Sequence, residues 1–228
     1  MKAAGRFTNI LGIFAFISVA GGLYMGLLYA PTERTMGAVQ RIFYFHLPLA
    51  WISFLAFLIV FIGSVIYLVK RSMKWDIVAG AAAEIGVLFS TLVLITGSIW
   101  ARRAWNAWWV WEPRLTTMLV MWLIYLGYLM ARGAIEGDER RARVSAVMGI
   151  VGFINVPIVF MSIHWWRTMH PVLINKERMG LAVPMLVTLI VCLFAFTMLF
   201  FYLLLKRARL GLIEYSLKEI RIKLDRRP

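Results

Sequence analysis

Apolar residues run along this chain in six long blocks, near 8–30, 47–69, 77–99, 115–132, 144–163 and 180–205, and the charges fall almost entirely between them. Each block has about the 20 residues that a helix needs to cross roughly 30 Å of hydrocarbon. Strand-like alternation is absent, which argues against a barrel. The pattern predicts an all-α polytopic membrane protein with six transmembrane helices. The first block follows Lys2 and Arg6 as a signal peptide would, but it exceeds the ~7–15 apolar residues of such a core and reads as a retained helix.

Composition strengthens this reading. Of 228 residues 62% are hydrophobic and 16% charged, and the mean hydropathy is +0.79. A soluble domain of this length cannot hide so much apolar surface. The net charge of +14 does not mark a nucleic-acid partner, because the cations gather at the ends of spans. Counted by loop, Lys and Arg number 17 on the side of the termini and 8 on the other. Both termini are therefore expected in the cytoplasm of a cell membrane. Residues 1–205 form the expected six-helix domain, with a Trp-rich segment at about 100–116 on the outer face, and 206–228 a basic cytoplasmic tail. In that tail Ile213, Leu217, Ile220 and Leu224 recur at helical spacing and Glu219 and Lys223 stand i, i+4, as in a helix lying on anionic lipid.

Chemistry-bearing residues collect on the expected outer side. Four tryptophans, Trp105, Trp108, Trp109 and Trp111, fall within seven positions, followed at once by Glu112, Pro113 and Arg114. Trp100, Trp165, Trp166 and Trp51 lie near the same face, whereas Trp75 alone clearly marks the inner one. An ordinary aromatic belt decorates both interfaces. Positions 105, 108, 109 and 112 fit one stripe of a short interfacial helix, and Pro113 suits the first turn of the fourth span. Indole faces make a broad, rigid platform for a planar conjugated ligand such as a porphyrin.

All three histidines, His46, His164 and His170, are at that boundary. Two of them, brought together from different connections, have the chemistry to ligate a haem iron on both faces. Arg41, Arg102, Arg103, Arg114 and Arg167 share the side and offer planar forks for haem propionates. Glu84 is the lone acid within a predicted span, where a carboxylate is costly and often functional. Asn155 and Pro157 read as a kink in the fifth span. The single Cys192 makes no intrachain disulfide, no C-x-x-C-H motif marks covalent haem attachment, and no G-x-x-x-x-G-K-[ST] loop is present.

The run W-N-A-W-W-V-W-E-P-R-L-T resembles the tryptophan-rich "WWD" motif of haem-handling membrane proteins. With six spans, R-x-x-x-x-H before the second and W-W-x-x-x-H after the fifth, nearly the whole chain is similar to the cytochrome c maturation protein C family. The resemblance implies His46 and His170 as axial ligands to the haem iron and His164 as a bystander. Trp105, Trp108, Trp109, Trp111, Trp165 and Trp166 would form the platform, with Arg41, Arg114 and Glu112 as propionate or motif support. The sequence departs from the pattern at Asn106, where the motif usually has Gly, at Glu112, where it has Asp, and at Pro113. The cargo implied is haem b, held non-covalently, with no catalytic residue of the chain's own. The implied partners are a CcmE-like haem chaperone, CcmA- and CcmB-like subunits of an ABC transporter, and a small CcmD-like membrane protein. A membrane cytochrome b, a quinone-reactive subunit and a non-haem permease are the alternatives.

Overall fold

The computed structural model describes residues 2–166, 174–175, 178–179 and 181–225. Its helices are α1 (Lys2–Tyr24), α2 (Phe43–Lys70), α3 (Met73–Ala104), α4 (Pro113–Ala134), α5 (Asp138–Phe153), α6 (Asn155–Trp165) and α7 (Val183–Asp225). A π-helical turn at Met25–Tyr29 ends α1, and a 3₁₀ turn at Ala38–Ile42 leads into α2. Two-residue strands β1 (Ile174–Asn175) and β2 (Arg178–Met179) pair antiparallel before α7. Six helical segments are long and apolar enough to cross a membrane, α5 and α6 together forming the fifth. The expected six-helix architecture is borne out.

Every boundary has a local cause. Arg71, at φ 55°, turns the chain sharply after α2. Pro113 occupies the first turn of α4, where its missing N–H costs nothing. The fifth span breaks at Ile154, because the Pro157 ring clashes with the carbonyl four residues back. Asn155 ties the break to the neighbouring helix, its side-chain amide donating to the Thr117 carbonyl of α4 at 3.0 Å. The expected kink is present.

Because lipid gives helices no hydrophobic reason to associate, close backbone approach has to hold the bundle. At Gly12 an added Cβ would lie 2.7 Å from the Tyr202 ring, and at Gly86 2.6 Å from Phe57. These glycines seat α1 on α7 and α2 on α3. At mid-bundle Phe57 stacks on Tyr125 with centroids 3.6 Å apart. Ile52, Val60, Met121, Tyr128 and Phe200 are buried around them.

The end carrying the termini is ionic. Asp76, 3% exposed, takes both Arg132 nitrogens, one at 2.9 Å. Glu84 accepts two hydrogen bonds from Arg207, one at 2.8 Å. Asp138 binds Lys218 at 2.8 Å and Arg141 at 3.0 Å. Two sequence expectations change here. Glu84 is not the only acid within a span, since α3 starts at Met73 and carries Asp76 in its first turn. Glu219 accepts from the Tyr215 hydroxyl at 2.8 Å instead of pairing with Lys223.

Candidate functional site

At the opposite end lies a cavity of about 700 Å³, in the range of pockets that enclose a small-molecule ligand. The 3₁₀ turn and the first turns of α2 contribute Gln40, Phe43 and His46; α3 contributes Val93, Gly97 and Trp100. The connection after α3 adds Trp105 and Trp109, the start of α4 adds Arg114 and Met118, and α6 and α7 close the wall with Phe160, His164 and Met185. The lining residues come from the helix ends and connections at this end, so the cavity is a pocket in one end of the bundle.

The tryptophan segment is not the short helix that its spacing suggests. Residues 105–112 are irregular between α3 and α4. Asn106 adopts φ 55°, in the left-handed region that ends a helix, and Glu112 is extended because the next residue is proline. Asn tolerates that conformation better than most non-glycine residues. Arg102 pins the turn by donating to the Asn106 backbone carbonyl at 2.7 Å and lies outside the cavity lining. Released from helical phase, the indoles diverge. Trp105 and Trp109 line the cavity, whereas Trp108 and Trp111 are 61% and 76% exposed. Trp165 and Trp166 are also exposed and outside the lining.

His46 is inside α2 rather than ahead of it, since the helix begins at Phe43. Its Nδ1 is 2.9 Å from the Thr96 hydroxyl of α3. His164, a bystander by the resemblance, lines the same cavity as His46. His170 and Arg167 lie outside the described residues. Arg114 lines the pocket, and Glu112 is buried at the start of α4. Arg41 lies outside the lining and donates to the Leu27 carbonyl, tying the 3₁₀ turn to the end of α1.

Sequence reasoning passed over Trp100 as a wall residue, although it meets Trp105 edge-on at 5.1 Å. Gln40, Thr96 and Gly97 were missed as well. Only the distance between α2 and α3 reveals the last two, whereas Gln40 carried one signal, an amide in an apolar approach to a span. Its Oε1 and the Trp109 Nε1 are buried without hydrogen-bond partners. Two orphaned polar atoms in a mostly apolar wall suit a flat, largely apolar ligand with polar substituents. At the rim, Glu33 accepts from the backbone N–H groups of Met36 and Thr35, the latter at 2.7 Å, and these hold its carboxyl below the usual range.

A family model described as Heme exporter protein C matches residues 1–223. The chain belongs to that family. Heme exporter protein C of Bradyrhizobium diazoefficiens is 38% identical over 209 residues, covering 90% of this chain and 79% of the relative. Heme exporter protein C of Haemophilus influenzae is 32% identical over 224 residues, covering 97% and 91%. A mitochondrial chain of Marchantia polymorpha, ccmC-like and with cytochrome c biosynthesis in its name, is 34% identical over 188 residues, covering 82% and 80%. Asn106, Glu112 and Pro113 all fall in the irregular connection or at its junction with α4.

Proposed function

We propose that this chain handles haem in cytochrome c maturation, holding it at the outer face of the cell membrane and passing it to a haem chaperone. The reading rests on one observation: a single apolar cavity gathers the His46 imidazole, the Trp100, Trp105 and Trp109 indoles and the Arg114 guanidinium. Haem b is the cargo, taken non-covalently. His46 supplies one axial nitrogen and His170 the other. The indoles exclude water and present flat apolar faces, while Arg114, Gln40 and Trp109 Nε1 meet the polar edge. Both termini are cytoplasmic, which puts the ionic end inside and the cavity outside. An ABC transporter and a small membrane protein complete the assembly, and the chain itself performs no catalysis. The names of the relatives support haem and the cytochrome c pathway.

Both described histidines are at the tryptophan end, which disfavours a cytochrome b with histidine pairs stacked along facing helices. A cavity confined to one end disfavours a permease.

Purified in detergent and given hemin, the chain is expected to develop the sharp Soret band of a six-coordinate, low-spin haem. His46→Ala and His170→Ala each remove one nitrogen and should convert it to a weaker, high-spin spectrum. Wild-type spectra from both variants would sink the assignment.

A further inference from the structure

We infer that Thr96 selects the tautomer of His46 that can bind iron. This rests on His46 being a haem ligand and adds what makes it one. A neutral imidazole has one N–H and one lone pair, and only the nitrogen with the lone pair can ligate. Which nitrogen that is depends on the partner of the other.

The Thr96 hydroxyl has a single proton. One helical turn back the Leu92 carbonyl lies 2.7 Å from Oγ1, and the Val93 carbonyl is 3.3 Å away. Such back-bonding is habitual for threonine in a helix and leaves the oxygen lone pairs facing outward. With its proton on Leu92, Oγ1 can only accept at 2.9 Å from His46. Nδ1 therefore carries the proton, and the lone pair is on Nε2, across the ring.

The same device recurs twice in this bundle with partners that fix its direction. Thr91 back-bonds to Val87 at 2.8 Å and accepts the Trp122 indole N–H at 2.8 Å. Thr197 back-bonds to Leu193 at 2.7 Å and accepts the Trp51 indole N–H at 3.3 Å. An indole nitrogen is a donor only, so both hydroxyls are acceptors. Thr96 repeats their geometry toward a ring that has a choice. The neighbouring Gly97 leaves room for the ring, since a Cβ there would stand 3.3 Å from His46 Cε1.

The acceptor's chemistry also matters. An alcohol accepts less strongly than the carboxylate that backs many metal-bound histidines, so it leaves the imidazole less basic. A weaker iron bond suits a site that must release its cargo.

The test combines three variants of the full chain with a direct reading of the tautomer. Thr96→Val keeps shape and removes the hydroxyl; it should weaken hemin binding about 10- to 100-fold and shift the low-spin electron paramagnetic resonance of ferric haem. Thr96→Ser should restore both. Thr197→Val removes an equivalent bond outside the cavity lining and should leave hemin binding unchanged. ¹⁵N-histidine NMR of the unsubstituted, haem-free chain should show His46 protonated at Nδ1, whatever the variants do to folding. Protonation at Nε2, tighter or unchanged hemin binding in Thr96→Val, or an equal loss in Thr197→Val overturns the proposal. Unchanged spectra in His46→Ala would instead defeat the ligand reading beneath it.

Discussion

Gly97 leaves His46 its place, and the clearance can be measured by filling it. Gly97→Ala puts a methyl 3.3 Å from the imidazole Cε1, which must yield by a few tenths of an ångström. Hemin affinity is expected to fall while thermal stability changes little, because alanine is the better helix former by about 1 kcal/mol. Titration beside a melting curve separates the effects. Glu33 carries a pH prediction. Its folded-state pKa is lowered by backbone N–H groups, so the turn's support is present above the unfolded carboxylate pKa and is lost as pH falls through the folded value. The protection factor of the Met36 amide, its exchange rate corrected for the intrinsic pH dependence, should therefore hold at neutral pH and fall only in acid. At this scale the sequence disclosed residues whose type is rare, such as His46 and the tryptophans, since scarcity is visible without coordinates. It did not disclose Thr96, which is common in type and acquires its role from an imidazole 50 positions away in the chain.

At the scale of elements, the ion pair between α3 and α4 is the strongest case for mutation. Asp76 is buried and Arg132 nearly so. Removing one partner from such a pair strands the other charge and costs about 3–5 kcal/mol. Arg132→Met should thus lower the melting temperature markedly, and Asp76→Asn with Arg132→Met should recover part of the loss. Glu84→Gln is expected to cost about 1 kcal/mol or less, because that pair is more than a third exposed. Thermal unfolding in detergent compares the variants. The six spans could be read from hydropathy because lipid demands long apolar helices. The 105–112 connection could not, because one left-handed residue, Asn106, cancels the helical spacing that the tryptophans suggest. The reach of α3 was underestimated for a related reason: hydropathy stops at charges, and Asp76 is a charge neutralised inside the fold.

For the molecule as a whole, the two ends do different work. Helix α7 continues unbroken for 43 residues, about 65 Å, and its last turns expose Ile213, Leu217, Ile220 and Leu224. Ending the chain after Gly211 removes Lys218 and its bond to Asp138 but no residue that lines the cavity. Hemin binding is expected to survive this truncation, whereas association with anionic lipid vesicles should weaken. Loss of hemin binding would show that the ends are coupled.

Beneath the cavity the Phe57–Tyr125 stack, with Met121, Tyr128 and Phe200 buried around it, occupies the waist of the bundle. A floor of that kind makes this cavity a berth closed toward the waist, and cargo is expected to enter and leave on the tryptophan side.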